Sequence, residues 1–319
     1  MPHIRRLLGC SLGLLAVAAS HAPAQQTEEL PGVRMVEVGG RATRIQVLGL
    51  ANRQEGAPVV VFEAGATNAL EIWGDVLPQL AQAAPVVAYD RAGLGRSEWD
   101  RIRPTPGHVA GRLRELLQVI RAEPPYVLVG YSWGGVLARY FAGEHPSDVA
   151  GLVFVDPSPI VTQRLEESLV PFEAIGSGRD GHDAYWSAFG GLFERAAPAV
   201  RAEFEVLRGL MELDLDERDV PPLPDVPVTL IVAAKYLPLV GMQLPFDPEE
   251  HFEADLRHRI DKLQDWALES RDGLLVVSNS TTHAVPREAP DLIVWAVRRV
   301  LTAVRGLAGP SPPSRQYHP

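Results

Sequence analysis

Gly130-Tyr131-Ser132-Trp133-Gly134 sets a hydroxyl between two residues that have no side chain. The apolar run Tyr126–Val129 leads into this stretch, and Gly135 to His145 reads as a helix leading out of it. A serine at such a strand-to-helix turn is either an ordinary loop residue or a nucleophile presented on a tight elbow. The elbow has a steric requirement, because strand and helix nearly touch around the nucleophile. The positions two before and two after it must then be bare, as Gly130 and Gly134 are. An oxygen held at a helix N-terminus also meets N–H groups and a dipole that favour negative charge. A serine hydroxyl is a weak nucleophile near neutral pH and needs a base within hydrogen-bond reach. The chain offers 9 histidines for that task.

Other chemistries have less to work with. Cys10 is the sole cysteine, and it lies in a leader expected to be removed, so a thiol nucleophile and cysteine-ligated zinc are both excluded. No H-E-x-x-H or similar spacing implies a metal, and no motif implies a cofactor. The stretch Arg91-Ala92-Gly93-Leu94-Gly95-Arg96 is glycine-rich but lacks the spacing of a phosphate loop, so Asp90 and Arg91 are expected to lock the turn they occupy. A formal charge of −10, without a block of basic residues, argues against a nucleic-acid partner.

The elements that must carry Ser132 follow from the apolar pattern. Residues 33–50 alternate apolar and polar across Gly39-Gly40, which predicts a β-hairpin. Short continuous apolar runs at 58–63, 85–89, 125–129, 149–155, 226–234 and 273–278 predict buried strands, alternating with helical segments near 72–83, 107–122 and 290–301. That rhythm means a mostly parallel sheet flanked by helices. Residues 159–225 break it: Phe172, Tyr185, Trp186, Phe189 and Phe193 occur among charged residues without a strand pattern, which predicts a helical insertion over one end of the sheet. Those aromatics are either ordinary packing or walls of a substrate pocket.

At the N-terminus, Arg5 and Arg6, the apolar segment 7–20 and Ala22-Pro23-Ala24 form a secretory-signal pattern over residues 1–24. The apolar segment is too short to span a bilayer. Its removal would take away two positive charges and leave −12 on a periplasmic or secreted chain with no stable membrane insertion. The expected organisation is a core of 25–158 and 226–305, a cap of 159–225 and a proline-rich tail of 306–319.

Five segments in order, "FEAGATNALEIW", "YDRAGLGRS", "GYSWGG", "GLVFVDPSP" and "NSTTHAVPREAPDLIVWAV", resemble the α/β-hydrolase superfamily, over about residues 33–304. The resemblance implies the α/β-hydrolase fold with a helical cap, and a triad completed by a histidine after the last strand, here His283. It also implies a triad acid. The position most often used, after the strand at 226–234, holds no carboxylate, so Asp156 at the end of the preceding strand is the expected acid, with Asp247, Glu249, Asp225 and Glu63 as alternatives. The oxyanion hole would be built from the backbone N–H groups of Trp133 and Ala66. Members often have His-Gly where this chain has Ala64-Gly65, which alters how that loop is held. The expected activity is hydrolysis of a small-molecule carboxylic ester through an acyl-enzyme on Ser132. The alternatives are an aminopeptidase similar to proline iminopeptidases, with Glu166, Glu167 and Glu173 gripping an ammonium, and a catalytically silent binding protein.

Overall fold

The computed structural model describes residues 30–158, 165–212, 222–238 and 242–307. The proposed leader 1–24, and the tail from residue 308 on, lie outside the described residues.

The described residues form one eight-stranded sheet. Strands β1 (Val33–Val38) and β2 (Arg41–Leu48) make the predicted hairpin, turning at Gly39 and Gly40, whose φ angles of 54° and 71° suit residues without Cβ. Next in sequence come β3 (Val59–Glu63), β4 (Val86–Tyr89), β5 (Tyr126–Tyr131), β6 (Val149–Val155), β7 (Pro227–Ala233) and β8 (Asp272–Ser278). The spatial order is β1-β2-β4-β3-β5-β6-β7-β8; β1 and β2 run antiparallel and the strands from β4 to β8 run parallel.

For β3 to β7 the continuous apolar runs are explained by two covered faces; β8 was expected to be buried as well, but as an edge strand it is only half-buried and leaves Val277 exposed. In β3, Val59 and Val61 belong to one apolar cluster, and Val60 and Phe62 belong to the other. The first cluster is closed by α2 (Pro106–Val119), α3 (Trp133–Glu144) and α7 (Pro248–Glu269) through Leu113, Leu117, Leu137, Leu263 and Trp266. The second is closed by α1 (Val76–Leu80) and α9 (Pro290–Leu307) through Leu77, Leu80, Ile293 and Val297. Burying side chains on alternate faces satisfies the period-two geometry of a strand. The helix expected over 72–83 is divided: a 3-10 turn at Leu70–Trp73 and the short α1 flank Gly74, a weak helix former.

Between β6 and β7, the described residues contain α4 (Leu165–Ala174), α5 (Gly178–Gly191) and α6 (Pro198–Glu212). Phe172 and Phe204 are buried there, and Tyr185, Trp186, Phe189 and Phe193 form a chain of ring contacts, with Phe193 and Phe204 stacked at 4.8 Å.

Register decides what meets at the sheet's C-terminal edge. Glu63 pairs with Gly130, Tyr131 with Val155, and Val155 with Ile231. The residues just beyond β3, β5, β6 and β7 therefore leave the sheet at nearly one level, where open α/β sheets bind ligands.

Candidate active site

Ser132 lies between β5 and α3 with φ 53° and ψ −120°, a region that costs a non-glycine residue about 1–3 kcal/mol. Neighbouring strands hold it there. Its N–H donates to the Val155 carbonyl at 3.0 Å, and its carbonyl accepts from Gly135 N–H at 2.9 Å and Ser158 N–H at 3.1 Å. The flanking glycines are required by close approach: a Cβ on Gly130 would stand 2.6 Å from the Gly135 Cα, and one on Gly134 would collide with the Glu63 carbonyl. The Ser132 side chain is left half-exposed at the start of a 12-residue helix.

His283 follows β8, ahead of the short α8 (Val285–Glu288). Tyr131 Oη donates to the His283 carbonyl at 2.8 Å, and Glu288 accepts from the N–H and hydroxyl of Thr282 at 2.6 and 2.9 Å. Thus fixed, His283 brings Nε2 to 3.0 Å from Ser132 Oγ and Nδ1 to 2.6 Å from Asp156 Oδ2. Asp156 is buried at the end of β6 with a positive φ of 42°. Its other oxygen accepts from Ala233 N–H at 2.9 Å and from Arg259 Nη1 at 2.8 Å. Burial alone would push its carboxyl up. The Arg259 charge, the bond to His283 and the Ala233 amide outweigh this and hold it below the usual carboxylate range. Asp156 is then an ionised acceptor, so His283 Nδ1 is the donor and Nε2 is left to accept the Ser132 proton.

The other carboxylates weighed from sequence are occupied elsewhere. Asp247 accepts from the N–H of Glu249 at 2.9 Å and caps α7, and Glu249 is exposed. Asp225 forms an exposed pair with Arg271 at 2.8 Å. Glu63 is buried against the Tyr89 hydroxyl. Among the remaining histidines, His145 bonds to Arg114, and His251 lies against Phe172 with the ring centroids 4.2 Å apart and the rings tilted by 36°.

Trp133 is the first residue of α3, so its N–H has no acceptor within the helix. Ala66 follows β3 in the loop beside Tyr131, whose ring a Cβ on Gly65 would approach to 3.1 Å. The expectation that Asp90 and Arg91 both lock their own turn holds for the first side chain and not the second. Asp90 does lock its turn, accepting from Arg96 N–H at 2.9 Å, and it also accepts from the distant Leu70 N–H at 2.8 Å. Arg91 instead reaches across to the carbonyls of Ala64 and Gly65 at 2.6 and 2.7 Å and to Glu203 of α6 at 2.6 Å, because a guanidinium fork can serve several acceptors at once.

Sequence reasoning missed Arg259, Glu203 and the Tyr131 hydroxyl. A signal existed for two of them. Arg259 lies on the apolar stripe Leu256-Ile260-Leu263, and Glu203 on the stripe Val200-Phe204-Leu207, where a charged residue implies a buried partner.

A family profile described as the alpha/beta hydrolase fold matches residues 58–197. An AB hydrolase superfamily protein of Gibberella zeae is 28% identical over 171 residues, covering 52% of this chain and 52% of that protein. Lipase LipV of Mycobacterium tuberculosis is 32% identical over 96 residues, covering 30% of this chain and 35% of the lipase. The chain thus spans about half or less of the length of these relatives. Among solved structures, a loop variant of the haloalkane dehalogenase DbeA from Bradyrhizobium elkanii is similar with a TM-score of 0.58 at 16% identity, covering 86% of this chain and 98% of that one. At that identity the likeness speaks for the fold alone. The described residues have the α/β-hydrolase fold, and the matching profile covers residues 58–197, which include the Ser132 elbow.

Proposed function

We propose that the chain is a serine hydrolase that cleaves a carboxylic ester through an acyl-enzyme on Ser132. The observation that carries this reading is the continuous relay from Ser132 Oγ through His283 to Asp156, with distances of 3.0 and 2.6 Å. His283 Nε2 takes the proton as Ser132 Oγ attacks the ester carbonyl, and Asp156 stabilises the imidazolium that results. The N–H groups of Ala66 and Trp133 receive the developing oxyanion. Collapse of the tetrahedral species expels the alcohol, which takes its proton from His283. Water, activated by the same imidazole, then releases the acid and restores Ser132.

Relatives on this fold that attack with a carboxylate would need an aspartate where this chain has Ser132. The aminopeptidase alternative has less to support it. Glu167 is engaged by Lys262 at 2.7 Å, Glu173 is exposed, and the Glu166 side chain lies outside the described residues. An intact relay also counts against a silent binding protein.

The test is labelling by a fluorophosphonate probe together with hydrolysis of a p-nitrophenyl ester series. The native chain should be labelled at Ser132 and turn over the esters, while Ser132→Ala and His283→Ala should lose at least about 1,000-fold in kcat with little change in Tm. Retention of most activity in either variant refutes the reading, and preferential cleavage of aminoacyl anilides would move it to the aminopeptidase. The reading includes export after loss of residues 1–24, checked by the N-terminal residue of protein recovered from periplasm or medium.

A further inference from the structure

The oxyanion loop is held from the cap. Arg91 donates to the Ala64 and Gly65 carbonyls at 2.6 and 2.7 Å, and its Nε donates to Glu203 Oε1 at 2.6 Å. The second oxygen of Glu203 accepts from Thr67 N–H, also at 2.6 Å. Both side chains are buried, and Glu203 comes from α6, 112 residues further along than Arg91.

These contacts bracket Ala66. The Gly65 carbonyl and the Ala66 N–H belong to one planar trans peptide, so they point in opposite directions. Fixing the carbonyl against Arg91, with Asn68 N–H as a further donor at 3.2 Å, therefore fixes the direction of the Ala66 N–H. A guanidinium on the carbonyl also polarises the amide and makes its N–H a stronger donor. On the other side, Thr67 has φ 64°, a conformation in which a β-branched residue is strained by about 1–3 kcal/mol. The Glu203 carboxylate on its N–H holds the chain there.

We propose that Arg91 and Glu203 are positioning residues that aim the Ala66 N–H at the oxyanion, so that the hole is complete only when α6 of the cap is docked on the core. This rests on the serine-hydrolase reading. It also explains how the loop is held with Ala64 where relatives often have histidine.

The test compares the native chain with Glu203→Ala, Glu203→Gln and Arg91→Lys, using a p-nitrophenyl ester and an aryl boronic acid that mimics the tetrahedral intermediate. A misdirected donor should lower kcat about 10- to 100-fold. KM should stay within about twofold, since the ground-state carbonyl gains little from the hole. Boronate affinity should fall by the same factor as kcat. Glu203→Gln, which keeps an acceptor for Thr67, should retain more activity than Glu203→Ala. The inference is overturned if folded variants keep native kcat, if kcat falls while boronate affinity does not, or if none of the three folds, which would make the pair a requirement of the fold alone. A native chain that fails to react with fluorophosphonate would instead remove the serine-hydrolase reading itself.

Discussion

Asp156 Oδ2 lies 2.6 Å from His283 Nδ1, joining residues 127 positions apart in the chain. Parallel register makes this possible. Tyr131 is level with Val155, so Ser132 and Asp156 leave neighbouring strands side by side, and the loop after β8 folds back over both. Asp156 is also fixed on its far side by Arg259 and the Ala233 amide, which leaves one oxygen for the imidazole. Asp156 is thus oriented independently of the histidine it contacts.

Asp156→Asn should lower kcat by about 10,000-fold, because an amide can stabilise the wrong imidazole tautomer and cannot balance an imidazolium. Asp247→Asn tests the competing assignment. It keeps an N-cap acceptor on α7 and should leave kcat near native. Steady-state kinetics on the two variants decides between them.

Arg259 bonds to Asp156 at 2.8 Å and pairs with Asp255 at 2.8 Å, all within a largely buried site. Arg259→Met would strand one buried carboxylate without its cation, at a cost of about 3–5 kcal/mol. Arg259→Lys retains charge without the fork and should lose less. Urea denaturation at pH 7, with m-values compared, measures both.

Glu63 is buried beside Arg91, whose guanidinium is already engaged by Glu203. Burial pushes the Glu63 carboxyl up to about 7, with Arg91 and the Tyr89 hydroxyl opposing the rise. Its folded pKa is above its unfolded one, so the folded chain binds the extra proton. The associated stability is fully present below about pH 4.5 and is lost as pH rises to about 7, a change on the order of 3 kcal/mol. Glu63→Gln should flatten that part of the stability profile, measured by denaturation between pH 4 and 8, and gain on the native chain at the alkaline end.

Gly134→Ala should be severe, since the new methyl would meet the backbone carbonyls of Glu63 and Ala64, which cannot rotate away. Moving them would open the elbow and shift the oxyanion loop together. A loss of about 3 kcal/mol in stability and near-complete loss of ester turnover are expected, read by denaturation and by fluorophosphonate labelling. Gly111→Ala, where a methyl meets nothing within 4 Å, is the control and should be tolerated.

Much of the fold was legible in the sequence because its signals are local. Runs such as Val59-Val60-Val61-Phe62 report burial on both faces, and Gly39-Gly40 reports a turn. The break at Gly74 was less visible, since the apolar residues on either side continue a helical period although the backbone does not. Arg91 shows the same limit from another direction. Its neighbour Asp90 bonds within its own turn, as local reading suggests, but the arginine's acceptors lie at Ala64, Gly65 and Glu203, which only packing brings near.

Ser132 and its two glycines were determined by the sequence alone, because the crowding at a strand-to-helix elbow acts between residues a few positions apart. Resemblance carried His283 in the same way, by its place after the last strand. Asp156 was already the expected acid from its place at the end of a strand; that it, rather than Asp247, Asp225, Glu249 or Glu63, lies within bonding distance of His283 is visible only in the tertiary structure, as are the contacts of Arg259 and Glu203. Each depends on strand order, register and helix docking that bring together groups more than 70 residues apart, and no local pattern encodes such a distance.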